Sequence, residues 1–450
     1  MVADLPEPLL DQLSRCLDAE LGLHFPKPRW PDLERGIQAA AKELGFETPV
    51  ECAEWLMSSR LTKPQLELLA AHLTIGETYF FRDPAVFDFL GTQVLPELIR
   101  ARRDTGRQIR IWSAACCTGE EPYTLAITLS RLLPDIADWN ITILATDVNP
   151  RFLKKAVAGR YGNWSFRSAP DSVRAQYFHE VEEGICEIAV PIRKMVTFSA
   201  LNLAEDAYPS LMTSTNAMDI IFCRNVLMYF SRENATKVAA KLHASLVDGG
   251  WLFTSATEVS KEVFPQFETV RHPGLLAFRK QGAARDDGPA FAPRPKPAPV
   301  RPVTAKPAAI ESAPQGQPVQ PGDLTLARRL ANEGRLAEAL AECEQAIAGD
   351  KLVAAGHYLR GVILQEKGAL AGAREALRRA LFLDHNLVVA HFALGNLMRQ
   401  HGREVEATRS YENARALLQQ YAPDAELPES GGITAGRLLA MVESIQDARV

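Results

Sequence analysis

Residues 108–129 read QIRIWSAACCTGEEPYTLAITL. A short apolar run ends in small residues. Two cysteines and a glycine follow, and then two glutamates and a proline open a second apolar run. The order predicts a strand, a loop and a helix, with the loop at the carboxyl end of the strand, where open α/β sheets hold their ligands. The loop lacks the Gly-x-x-x-x-Gly-Lys-Ser/Thr pattern of a phosphate cradle. Glu120 and Glu121 also stand where a pyrophosphate would meet the helix N-terminus, and they would repel it. Two roles stay open for them: stabilising the helix dipole, or receiving a cationic ligand such as a nucleoside bearing an ammonium or sulfonium. Cys116 and Cys117 are expected to be small packing residues, because adjacent cysteines form a disulfide only with strain.

Further short apolar runs follow at NITILATDV, MDIIFCRNVL and GWLFTSATEV, separated by amphipathic stretches such as ENATKVAAKLHASLV. Strands alternating with helices predict a doubly wound, mostly parallel α/β sheet. FETVRHPGLLAFRK, at 267–280, reads as a closing antiparallel hairpin. Between Tyr161 and Asn202 the alternation breaks, and GICEIAV and KMVTFSALNL read as strands of a small β insertion at about 161–201. Asp147 closes the second strand. It is placed to accept hydrogen bonds from ribose hydroxyls, or to cap the helix that begins at Pro150. Residues 1–75 show apolar spacings of three and four, which predict an N-terminal helical domain.

Residues 281–322 are rich in Pro and Ala, contain a single aromatic, Phe291, and read as an extended linker. Beyond it the chain repeats. Gly361, Gly368, Ala373 and Ala380 match Gly395, Gly402, Ala407 and Ala414 at an offset of 34, and match Ala327, Gly334, Ala339 and Ala346 one period earlier. Small residues at fixed places in such a period let two helices per repeat pack closely, and the pattern resembles tetratricopeptide repeats. Three repeats are expected over 323–420. Residues 421–450 form a tail whose ITAGRLLAMVESIQ reads as a capping helix. Stacked repeats of this kind present a surface for a protein or peptide partner. The linker predicts two modules that fold independently, so that the N-terminal part cut near residue 285 would keep its ligand site.

The net charge of −5 over 450 residues gives no footprint for nucleic acid. Seven scattered cysteines without a C-x-x-C pair imply neither a disulfide framework nor a zinc site, and fit reduced thiols in a cytoplasmic protein. MVADLPEPLLDQL lacks the basic start and apolar core of a signal peptide, and no run of about 18 apolar residues is present to span a membrane.

WSAACCTGEEPYTLAITL, ATDVN, NL at 202–203, FCRNVLMYF and TYFFRDP together resemble the chemotaxis receptor methyltransferases, the CheR family. The match covers about 280 of the 450 residues. The resemblance implies S-adenosylmethionine as methyl donor, S-adenosylhomocysteine as product, and glutamate side chains of methyl-accepting chemoreceptors as acceptors. Repeats after a Pro-rich linker are similar to CheR-like proteins of Wsp-type surface-sensing systems. Carried over by position, the resemblance lays Ala114 along the first loop and gives the methionine amino group to Glu120. It gives the ribose to Asp147 and the flanks of the adenine to Asn202 and Leu203. Arg224 and Asn225 would close the site, with Thr78 and Arg82 facing the transferable methyl and Tyr229 beside them. Arg82 and Tyr229 are expected to position the acceptor, and no metal is expected. One departure stands out: the family commonly has Asn six residues before this Arg, and here the residue is Gly76. Two other readings stay open, a methyltransferase for a different acceptor and a scaffold that senses S-adenosylmethionine without catalysis.

Overall fold

The computed structural model describes residues 5–59, 61–258, 260, 262–281 and 323–447. The linker expected over 281–322 therefore lies, but for residue 281, outside the described residues. Four helices form the N-terminal domain: α1 (Glu7–Glu20), α2 (Trp30–Leu44), α3 (Pro49–Met57) and α4 (Lys63–Leu73). The spacing of their apolar residues builds one buried cluster, in which Leu13, Leu17, Leu33, Ile37 and Leu69 have almost no exposure. α3 opens with a reciprocal cap between Thr48 and Glu51. Two further helices, α5 (Pro84–Phe89) and α6 (Leu95–Arg102), lead into the sheet.

The sheet alternates with helices in chain order: β1 (Gln108–Ala114), α7 (Glu120–Leu132), β2 (Asn140–Asp147) and α8 (Pro150–Ala158). A small excursion follows, made of β3 (Arg160–Gly162), α9 (Asp171–Tyr177), β4 (Phe178–Glu182), β5 (Ile185–Ile188) and α10 (Val190–Arg193). The chain returns through β6 (Val196–Ala200), β7 (Met218–Cys223), α11 (Arg232–Ser245), β8 (Leu246–Phe253) and the hairpin β9 (Phe267–His272) and β10 (Leu275–Lys280). Strand order is β6-β2-β1-β7-β8-β10-β9. β6, β2, β1, β7 and β8 run parallel, and the hairpin joins antiparallel. The winding reverses between β1 and β7, so a crevice opens there beyond the strands' carboxyl ends.

The β insertion is smaller than the sequence suggests. Only β3, β5 and β4 form the separate antiparallel sheet. Val196–Ala200, expected inside the insertion, instead pairs in parallel with Ile143–Asp147 as the edge of the main sheet. The four-residue α10 is too short to leave a helical periodicity, so the return to the main sheet leaves little trace in the sequence.

Beyond the linker, three helix pairs follow: α12 (Thr325–Asn332) with α13 (Leu336–Gly349), α14 (Ala354–Glu366) with α15 (Leu370–Leu383), and α16 (Val388–Gln400) with α17 (Glu404–Leu418). The repeated small residues do what their spacing predicts. A Cβ on Gly361 would lie 2.7 Å from Leu377, and one on Gly395 would lie 2.6 Å from Tyr411. The tail ends in α18 (Ala435–Asp447). Before α18 the chain crosses back from the third repeat to the first. Arg328 of α12 ion-pairs with Glu429 and donates to its carbonyl at 3.1 Å, while Leu427 and Ile433 are buried in the repeats' apolar cluster.

The repeats are docked on the sheet at the end opposite the crevice. The carbonyl of Glu366, at the end of α14, accepts from Gln108 Nε2 at 2.7 Å and Asn140 Nδ2 at 3.0 Å, at the first residues of β1 and β2. The turn at Gly334 lies against Ala217 and Val247. The expectation of two independent modules thus meets a built interface. A linker's composition tells how it behaves, not what its two ends dock onto.

Candidate functional site

A cleft of about 1010 Å³ opens at the carboxyl ends of β1, β2, β6 and β7. The helical domain closes one side with Leu21, Leu23 and Leu73. Eight of the ten residues selected from sequence line it together: Thr78, Arg82, Asp147, Asn202, Leu203, Arg224, Asn225 and Tyr229. Ala114 and Glu120 are not among its lining residues; their chain neighbours Ala115 and Glu121 are.

The first loop explains the difference. Ala115 and Cys117 adopt φ of 62° and 51°, a left-handed backbone that costs an alanine about 1 kcal/mol. The bend turns the Cys117 N–H onto Asp147 Oδ2 at 2.8 Å and the Cys116 N–H onto the Thr146 carbonyl at 2.9 Å. Glu120 and Glu121, consecutive on α7, then point about 100° apart. Glu120 is buried among hydroxyls, accepting from Thr118 Oγ1 at 2.7 Å and Ser165 Oγ at 2.9 Å. Glu121 accepts from Ser113 Oγ at 2.7 Å and Arg224 Nη1 at 3.1 Å at the cleft wall. Burial pushes its carboxyl pKa up, and the Arg224 charge opposes that rise. Burial also drives the Cys117 thiol up to about 12, so it stays protonated beside the cleft.

At the end of β2 the helix cap falls to Asn149, whose Oδ1 accepts from the N–H groups of Arg151 and Phe152. Asp147 lines the cleft instead. Its Oδ1 accepts from the Asn149 N–H at 2.9 Å, and each carboxylate oxygen keeps a further acceptor site. Burial raises its pKa to about 6 against the opposing pull of those backbone N–H groups.

Beyond β7, Arg224 is almost fully buried. It donates to the Arg82 carbonyl at 2.9 Å and pairs with Glu121 and Asp83. Asn225, at φ 59°, begins a turn gripped by a residue the sequence reading did not select. Glu258 accepts the N–H of Asn225 at 2.8 Å, of Val226 at 2.6 Å and of Ser255 at 3.0 Å. Its only trace in the sequence is an acid closing an apolar run.

Arg82 and Tyr229 approach from different elements. Arg82 donates to the Glu77 carbonyl at 2.5 Å, and among the described residues it pairs with no carboxylate. Tyr229 ends a single 3₁₀ turn, with the Arg29 guanidinium 5.1 Å from its ring centroid. Asn202 donates to the Glu20 carbonyl at 2.8 Å, which ties its loop to the helical domain. Gly76 has a physical counterpart in Phe152. A Cβ on Gly76 would lie 2.8 Å from that ring, which lines the cleft itself, so the aromatic occupies the space a longer side chain would need.

The donor set fits an adenosyl sulfonium. Asp147 offers two anionic acceptors at a strand end. Glu121 and Asp147 carry negative charge into the cleft, and Leu201, Leu203, Val226 and Phe230 supply an apolar wall. A doubly wound sheet with such a cleft at its winding reversal has the architecture of a nucleoside-binding domain.

Residues 76–273 match the family model described as CheR methyltransferase, SAM binding domain. A probable chemotaxis protein methyltransferase of Rhizobium etli is 35% identical over 242 residues, 53% of this chain and 87% of that protein. Chemotaxis protein methyltransferase 1 of Pseudomonas aeruginosa is 36% identical over 216 residues, covering 47% and 76%. The probable biofilm formation methyltransferase WspC of the same species is 29% identical over 428 residues, 90% of this chain and 98% of that protein. The protein belongs to the CheR family of chemotaxis methyltransferases, with S-adenosylmethionine as its cofactor.

Proposed function

We propose that the protein methylates glutamate side chains of methyl-accepting chemoreceptor-like proteins in the cytoplasm, and that its repeats capture a protein partner. The observation that carries this reading is the state of Arg82. The other cleft arginine, Arg224, is taken by Glu121 and Asp83, whereas Arg82 forms no ion pair among the described residues: it donates to the Glu77 carbonyl and lies 5.7 Å from the Tyr79 ring centroid. A guanidinium with free donors at the cleft wall suits an incoming carboxylate. Among the described residues, no helix is long and apolar enough to cross a membrane.

S-adenosylmethionine supplies a methyl group bound to a positively charged sulfur. With the donor bound, an acceptor carboxylate would take that methyl group to give an ester, and the sulfonium would leave as a neutral thioether. The carboxylate is ionised at neutral pH, so no residue has to remove a proton. Arg82 and Tyr229 orient it, and the helical domain's leucines exclude water. Asp147 would hold the ribose, and Glu121, on the cleft wall, would face the cationic end of the donor. The test is incubation with tritiated donor and receptor cytoplasmic domains, followed by mapping of the label. Label on receptor glutamates is expected. A wild-type protein that binds S-adenosylhomocysteine yet labels no receptor would overturn the assignment.

A further inference from the structure

The connection between β6 and β7, residues 201–217, touches the cleft and the repeats at once. Its first residues carry Asn202 and Leu203 into the cleft wall. Further on, Leu211 packs against both apolar clusters of the repeats, and Met212 packs against the larger one. Asn216 Nδ2 donates to the Ala331 carbonyl of α12 at 3.3 Å. Between these points Glu205 ion-pairs with Arg437 of α18, and that helix packs against β6.

The segment is braced along its length. The Glu205 N–H returns to the Asn202 carbonyl at 3.2 Å. Lys241 Nζ donates to the carbonyls of Ala204 at 3.1 Å and Glu205 at 2.7 Å. The buried Tyr208 donates to the Leu203 carbonyl at 2.8 Å and sets its ring edge-on to Trp112 at 5.2 Å. Ser210 and Thr215 close a turn, with the Thr215 N–H on the Ser210 carbonyl at 3.1 Å, and Leu211 and Met212 are carried within it. A shift at Leu211 therefore has few soft joints in which to dissipate before it reaches Leu203.

We propose that the docked repeats set the donor affinity of the cleft through this connection, with Leu211, Met212 and the Glu205–Arg437 pair as positioning residues. The proposal rests on Asn202 and Leu203 lining the donor site. With the repeats in place, the two residues are ordered before the donor arrives. With the contacts cut, binding must order them, and affinity falls by that cost.

The test uses full-length protein, calorimetric binding of S-adenosylhomocysteine, and the donor KM and kcat of methyl transfer. Leu211→Ala with Met212→Ala should weaken binding about tenfold, while kcat at saturating donor stays within about twofold. Arg437→Glu should weaken it about fivefold, and adding Glu205→Arg should restore it. If the double alanine variant is unfolded by circular dichroism, the charge swap decides alone. Unchanged affinity in folded Arg437→Glu protein, or a loss that the swap does not restore, overturns the proposal. Equal losses in kcat and in affinity would mark the segment as merely structural. Wild-type protein that binds no S-adenosylhomocysteine would instead sink the donor-site reading beneath it.

Discussion

Arg110 of β1 and Glu366 of α14 form an ion pair buried between the sheet and the repeats, with side-chain exposures of 6% and 10%. Arg110 also donates to the carbonyls of Ser214 at 2.9 Å and Asn216 at 3.3 Å. Its own N–H binds Asp219 Oδ2 at 2.9 Å. Removing Glu366 leaves a buried guanidinium without its counter-ion. Glu366→Ala should therefore cost about 3 kcal/mol, whereas Arg110→Met with Glu366→Leu should cost much less. Urea unfolding midpoints of the two variants check the contrast.

Asp147 sets a pH limit on donor binding. Its pKa, raised to about 6 by burial, means that the free enzyme takes up a proton as pH falls through that value. A ribose-binding carboxylate must be ionised, so below about pH 6 affinity should fall by about tenfold per pH unit. Asp147→Asn should bind weakly at pH 8 and lose this slope. The same raised pKa makes the folded state bind more protons than the unfolded chain between about pH 4 and pH 6, so Asp147 lowers stability as pH rises through that window. Calorimetry across pH checks the first effect, and Tm across pH the second.

Glu120 and Glu121 should separate cleanly. Glu121→Gln removes a charge from the cleft wall and should weaken donor binding by about tenfold. Glu120→Gln alters a buried carboxylate bound by Thr118 and Ser165, and should cost about 1–2 kcal/mol of stability with little change in donor affinity. Dissociation constants and Tm of both variants give the answer.

Arg82→Ala should lower kcat by about 100-fold while changing donor affinity by no more than about threefold, because it is assigned to orienting the acceptor. Equal losses in both quantities would make it a donor ligand.

Much of this was legible in the sequence, and the residues show why. The strand, loop and helix at 108–132 follow from hydrophobic period and turn chemistry, which are local properties. Asp147 was visible as a strand-end acid, and its release from capping depends only on Asn149, two residues on. Choosing between Glu120 and Glu121 requires the rotation of α7, which is set by packing. Val196–Ala200 looked like part of the insertion because α10 leaves no helical pattern. Glu258, Phe152 and Glu366 act across long sequence separations and carry ordinary local chemistry, so no short window marks them.

The ion pair between Arg328 and Glu429 makes the repeats their own first ligand. The chain after the third repeat reaches the first through this pair, while Leu427 and Ile433 are buried in the apolar cluster of the second and third repeats. A peptide partner that used this face would compete with a tethered rival whose effective concentration is on the order of millimolar. If the repeats bind their proposed partner on this face, that partner would have to displace the tethered segment, and the tail would set a threshold that weak ligands do not pass.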